Sequence, residues 1–258
     1  MKLKPSRLDQ GRFGRHNPVM STSIRKQREL RARENALLDV ARRLLIEQGY
    51  AGLTMDRVAE ATEYSKWIVY QHFASKEDLV AALLIQSTEH RLELLAKARS
   101  FQGRSRERLL AMGVADELFA RRHPYAFRSE QIVHMADLGE RASAERREAM
   151  DRQDDLIAGW IREIVEEAVA AGDLIIPPGQ TPGHVVFNLL AMVVGVHGFM
   201  VNRPRMLAGL VADDPLVALR SGCHVVADGL GWRPLGSEWD YEASYQRVLR
   251  EVFGEASS

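Results

Sequence analysis

The sequence predicts an all-α protein, and three observations carry that expectation. Apolar residues recur at helical spacing, as in Leu37, Val40 and Ala41, and Leu44 and Leu45, a register that the polar Gln48 continues. Capping residues and Gly or Pro breakers punctuate one such stretch after another. No run alternates apolar and polar residues long enough to make a convincing strand. At 258 residues, with 46% hydrophobic and 27% charged residues, the chain can bury a sizeable core in one large domain or two modest ones.

The first helix is expected from Arg25 to Gln48, with Gly49 as its stop. Before it, residues 1–24 read as a disordered basic tail, because Pro5, Gly11, Gly14 and Pro18 are mixed with charges. Met20 is an alternative start to Met1, and no signal peptide is expected from so polar an N-terminus. Thr54 caps a short helix over 55–62, with Asp56 complementing the dipole of its first turn. Ser65 caps a second over 66–73. Ser75 caps a third from Lys76 towards Ala98, with Asp78 completing an S-x-x-D variant of the capping box.

Further helices are expected at 106–121, 125–138, 141–171, 183–201, 215–230 and 241–253, making nine or ten in all. His123-Pro124, Gly139, Gly172-Asp173, Pro177-Pro178-Gly179, Pro204 and Gly231 to Gly236 separate them. Val185–Val201 has 17 residues without a formal charge, close to membrane-spanning length. Asn188, Gly195, His197 and Gly198 interrupt it. It reads as a helix buried in the protein or in a subunit interface, with no membrane partner.

The formal net charge is zero, yet it is unevenly spread. Residues 1–33 hold ten basic and two acidic residues, or +8, and residues 34–85 sum to −3, so 1–85 is +5 and the remainder −5. A basic head on an acidic body suits one end meeting a polyanion, and equally a solvated tail. The single Cys223 excludes an intramolecular disulfide framework and fits a reducing cytoplasm. The chain contains no G-x-S-x-G, P-loop, G-x-G-x-x-G or H-E-x-x-H, and its scattered histidines lack a second histidine or cysteine at i+3 or i+4. Neither an enzyme nor a metal or cofactor is therefore expected.

Three short helices in about 45 residues, the last two joined by a short turn, suggest a helix-turn-helix. Val58, Ala59 and Ala61 are slim enough for close packing of the second helix on the third, and Val69 and Phe73 face that core. Lys66 with Tyr70, and Trp67 with Gln71, lie towards the opposite side, a surface suited to the major groove.

Thr54-Met55-Asp56-Arg57-Val58-Ala59-Glu60-Ala61, Ser65-Lys66 and Tyr70-Gln71-His72-Phe73-Ala74-Ser75-Lys76-Glu77-Asp78-Leu79 together resemble the tetracycline-repressor (TetR) family of bacterial regulators. The resemblance covers residues 33–85, a fifth of the chain. It implies an N-terminal three-helix DNA-binding domain (25–85) and a C-terminal helical ligand-binding and dimerisation domain (86–258). It also implies a homodimer on palindromic double-stranded DNA, a small-molecule effector, and repression in the cytoplasm.

By the same resemblance, Tyr70, His72 and Lys76 match phosphate contacts. Thr54 and Ser65 lie at capped helix starts beside the backbone, and Lys66, Trp67, Ile68 and Gln71 lie where bases are read. Three departures stand out. Glu63 occupies a turn position that is often glycine, Trp67 replaces another frequent glycine, and Ile68 replaces a DNA-contacting serine or threonine. Trp67 and Ile68 would either meet thymine methyls or pack on a neighbouring segment and weaken docking, which would leave a helical interaction protein.

In the body, the resemblance implies an effector pocket within residues 76–172. Met112, Phe119, Phe127, His134, Met135 and Trp160 are its candidate lining, against the alternative that they are ordinary core. Val185–Val201 and Leu216–Leu230 are the candidate dimer helices, with Gly195, Gly198, Ser221 and Gly222 allowing close approach.

Overall fold

The structure is a computed structural model that describes the backbone of residues 18–135, 141–211 and 214–255, and side chains within these except 18–23 and 134–135. Residues Met1–Ala36 and Leu37–Ser258 make two compact units. The described residues form eleven helices and no strand: α1 Pro18–Gly52, α2 Met55–Thr62, α3 Lys66–His72, α4 Lys76–Ala98, α5 Ser105–Arg122, α6 Pro124–Met135, α7 Ala144–Ala170, α8 Pro182–Asn202, α9 Pro204–Leu210, α10 Pro215–Gly229 and α11 Tyr241–Phe253.

Two expectations need correction. Helical backbone begins at Pro18, seven residues before the expected Arg25, so residues 18–24 are not an irregular tail; residues 1–17 lie outside the described ones. Pro204 opens a helix instead of merely ending one. It occupies the first turn of α9, where its fixed φ is favourable and the missing N–H costs nothing. Gly49 does break α1, at φ 69° and ψ −177°, and the chain turns there into Gly52.

In the first unit the described side chains are largely exposed, with Arg25 Nε paired to Glu29 at 2.9 Å. The second unit contains two apolar clusters. One gathers Leu37, Ala41 and Leu45 of α1, Val58 of α2, Val69 and Phe73 around α3, and Leu79 and Leu83 of α4. The other is built on α5 and takes in the C-terminal half of α4, α7, α8, α10 and α11, with Phe119, Val165, Val185 and Trp232 fully buried.

Arg106 is the polar centre of the larger cluster. Its guanidinium, 1% exposed, donates to Asp228 Oδ1 (2.6 Å) and to the carbonyls of Trp232 (2.8 Å), Pro234 (2.7 Å) and His224 (3.0 Å). Its remaining face lies over the Tyr241 ring. A buried cation is tolerable only when its donors are supplied with acceptors in this way.

Candidate nucleic-acid interface and ligand cavity

The sequence dictates how α2 and α3 are started. Thr54 accepts the Arg57 N–H, Ser65 the Ile68 N–H and Ser75 the Asp78 N–H, so each hydroxyl satisfies a donor that the helix leaves open. Between α2 and α3, Glu63 adopts φ 58° and ψ 16°. The turn thus keeps left-handed geometry without a glycine, at a cost of roughly 1–2 kcal/mol.

Val58, Ala59, Val69 and Phe73 are buried between the helices, whereas Ala61 is exposed and takes no part in that packing. The other side of α3 presents Lys66, Trp67, Tyr70 and Gln71 to solvent; Trp67 is 67% exposed and Tyr70 47%. Ile68 and His72 are half-buried.

Both lysines of this face have partners that the sequence did not reveal. Lys66 Nζ lies 2.6 Å from Asp56 Oδ1 in the first turn of α2, which raises the ammonium pKa. Lys76 Nζ donates to the Tyr50 carbonyl (2.5 Å) and sits 3.6 Å above the Tyr50 ring; desolvation there lowers its pKa. The Tyr50 hydroxyl donates to Glu77 Oε1 (2.6 Å), and burial followed by that carboxylate pushes the phenol up to about 12. The end of α1 and the start of α4 are clamped together through these groups.

Asp78 forms a second junction. Its carboxylate accepts the Ala74 N–H (3.3 Å) and the Ser143 N–H (3.2 Å) and meets Arg146 Nε at 3.2 Å. Burial pushes this carboxyl up, but the Ser143 hydrogen bonds and Arg146 outweigh it and hold it below its ordinary range. Arg146 also lies over the ring of Phe73, the residue that ends α3.

Within the body, a cavity of about 150 Å³ is walled by α4, α5, α7, α8 and α10. Of the expected lining residues, Met112 lines it. Phe119, Phe127 and Trp160 are buried in the surrounding core and do not, and the side chains of His134 and Met135 lie outside the described residues. Phe127 instead packs edge-on against His197 at 4.9 Å. The sequence offered no signal for the charged lining, which includes Arg91, Arg106, Asp116, Glu117 and Arg220.

Cys223 and His224 also face the cavity. Burial pushes the Cys223 thiol up to about 11 and the His224 imidazole down to about 4, so both are neutral at neutral pH.

Helix α8 is long and apolar enough to cross a membrane by length and composition, the sole such helix among the described residues. It buries Val185, Val186, Leu189 and His197 against the protein but leaves Phe187 (67%), Val194 (60%) and Phe199 exposed. Val217 and Val225 of α10 are exposed as well.

Residues 37–83 match the family model for bacterial regulatory proteins of the tetR family. The chain is 34% identical over 80 residues to the transcriptional repressor AcnR of Corynebacterium diphtheriae, an alignment covering 31% of this chain and 40% of that one. It is 32% identical over 79 residues to the transcriptional activator FasR of Mycolicibacterium smegmatis, covering 31% and 36%. The chain thus spans less than half the length of these relatives, which are named as regulators of transcription.

Among solved structures, the fold is shared with the TetR-family regulator PfmR of Thermus thermophilus (TM-score 0.57, 19% identity, 75% of this chain and 98% of that one). It is also shared with AibR in complex with isovaleryl coenzyme A and operator DNA (TM-score 0.57, 22% identity, 77% and 98%).

Proposed function

From the match of residues 37–83 to the family model for bacterial regulatory proteins of the tetR family, we propose that this chain is a homodimeric, DNA-binding transcriptional repressor that a small molecule releases from its operator. The observation that carries the reading is the division of α3. Val69 is sealed into the core, while Lys66, Trp67, Tyr70 and Gln71 stand in solvent on a helix fixed at its start by Ser65. A short rigid helix with cationic, aromatic and amide groups along its exposed side fits a major groove.

In this reading Thr54, Ser65, Tyr70, His72 and Lys76 face phosphates, and Lys66, Trp67, Ile68 and Gln71 face bases. Residues 25–85 act as the DNA-binding domain and 86–258 as the effector and dimerisation domain, in the cytoplasm. Lys66 would exchange Asp56 for a base edge, a small loss because an exposed ion pair is screened by solvent.

Exposed Phe187, Val194 and Phe199 on α8 and Val217 and Val225 on α10 support a dimer through Val185–Val201 and Leu216–Leu230. An apolar face of that kind is a liability unless a second copy covers it. The dimer would set two copies of α3 at successive major grooves, about 34–36 Å apart. An effector that prefers another spacing would then release the DNA.

The test is fluorescence anisotropy with the DNA upstream of the protein's own gene at low salt, alongside light scattering of wild type and Phe187→Glu. Binding by a wild-type dimer, lost in a monomeric Phe187→Glu, is expected. Failure of the dimer to bind that DNA refutes the proposal. It favours the competing reading, a helical interaction protein without operator reading, on whose side stand the internal partners of Lys66 and Lys76.

A further inference from the structure

Gly113 is an unexplained choice in the middle of α5. Glycine in a helix interior costs roughly 0.5–1 kcal/mol relative to alanine, and no neighbour demands it, since a Cβ there would meet no atom within 4 Å. What it opens onto is the cavity, which it lines together with Met112, Ile161 and Val193. The missing side chain is therefore space kept for something else. At about 150 Å³ that space matches a single six-membered ring with a short substituent.

The polar groups of the lining are specific in kind. Arg91 Nε and Nη2 and Arg106 Nε are buried N–H groups without a hydrogen-bond partner. Arg91 stands near carboxylates, with Nε 3.4 Å from Asp116 and Nη2 3.3 Å from Glu130, but none of these contacts aligns as a hydrogen bond. Guanidinium can only donate, so a ligand that satisfies these groups must bring an acceptor.

It need not bring charge. Arg91 faces Asp116 and Glu130, Arg106 faces Asp228, and Arg220 faces Glu117 and Glu242, so three cations are already met by five carboxylates. Each of these cations is thus already neutralised, so a ligand carboxylate would be desolvated without finding an unpaired positive charge, and a ligand ammonium would be set against orphaned donors.

We infer that the cavity takes a neutral, largely apolar molecule of about one ring that carries a carbonyl-type acceptor, seated against Gly113 with the acceptor towards Arg91 and Arg106. This specifies the chemistry of the effector and rests on the effector reading above. That cavity is offered as the binding site irrespective of whether its occupancy releases DNA.

Four probes of similar size test it: acetophenone, cumene, benzoate and benzylammonium, with affinities measured by calorimetry on the full-length protein. Acetophenone is expected to bind about tenfold tighter than cumene, the worth of one buried hydrogen bond, and both ions to bind worse than cumene. Gly113→Leu should abolish acetophenone binding while its circular dichroism and melting temperature report a folded protein; Gly113→Ala, which fills less space, checks any Leu variant that fails to fold and should weaken binding. Arg91→Lys keeps the charge but withdraws the donor fork, so the acetophenone preference over cumene should collapse.

Equal binding of acetophenone and cumene, tighter binding of either ion, no binding by any probe, or full acetophenone binding by both Gly113 variants each overturns the inference. Anisotropy on the upstream DNA is run in parallel. Acetophenone binding without DNA release sustains the ligand class and refutes the effector reading.

Discussion

Asp56→Asn isolates the contribution of Lys66 to DNA binding. The Lys66–Asp56 pair spans 2.6 Å between side chains that are 57% and 66% exposed, so solvent screens it and breaking it costs little. Docked DNA must break it, and the freed Asp56 then repels the phosphates within a Debye length. At about 8 Å in water, one such pair of like charges costs roughly 0.5 kcal/mol before screening.

Removing the carboxylate should therefore tighten binding by about 1 kcal/mol, or roughly fivefold, even to a duplex of arbitrary sequence. Because the ammonium of Lys66 then adds to the charge facing the duplex without a competing carboxylate, the slope of log K against log salt should steepen by up to about 0.9. Anisotropy with a mixed-sequence 30-base-pair duplex at several salt concentrations reads both. The control is the double variant Asp56→Asn/Lys66→Met, in which the fivefold gain should vanish. If Asp56→Asn binds no tighter, or the gain survives loss of Lys66, the placement of Lys66 against DNA is wrong.

Three further outcomes concern the fold. Arg106→Met should lower unfolding stability by about 3–5 kcal/mol in urea, since it strands Asp228 and the carbonyls of Trp232, Pro234 and His224. A loss under 1 kcal/mol would show that these groups find other donors. Glu63→Gly should raise stability by about 1 kcal/mol, because glycine accepts φ 58° without strain, and an unchanged urea midpoint refutes that account.

The third is a pH dependence. The folded His224 imidazole lies at about 4, below its ordinary 6.5, so the unfolded chain binds the extra proton first and stability falls as pH drops from about 6.5 towards 4. Melting temperature against pH should be flatter over that window in His224→Gln, although burial also lowers His123 and His197 and part of the slope will remain. An identical slope in the variant removes His224 from the explanation.

The sequence was most legible where structure is local. Ser65 and Ser75 mark the starts of α3 and α4 because a cap needs only a hydroxyl and an N–H three residues away. Gly49 and Glu63 likewise declared their turns, the second by being an unsuitable residue in a place that required positive φ. Pro204 misled because the same ring that ends one helix can begin the next.

Partner choice was not legible. Nothing in the order of residues joins Lys76 to the carbonyl of Tyr50, or Arg106 to a loop more than 120 residues later. The cavity was obscured for a related reason. Phe119, Phe127 and Trp160 have the same helical spacing whether they line a hollow or fill one, whereas Gly113, which does line it, carries no signal in its sequence neighbours.

The junction at Asp78 has a mechanical consequence. Helices α4 and α7 both start there, where Arg146 also lies over Phe73, the residue that ends α3. Both then run on to the hollow in the body, which α4 reaches with Arg91 and Leu95 and α7 with Ile157 and Ile161. From Arg146 to Ile157 is eleven residues, about 16 Å of unbroken helix at 1.5 Å per residue. The pair forms two stiff rods joined at one end through Asp78 and parted at the other by the hollow. No loop intervenes between Asp78 and the hollow along either helix, so the junction and the cavity wall are joined by continuous hydrogen-bonded backbone.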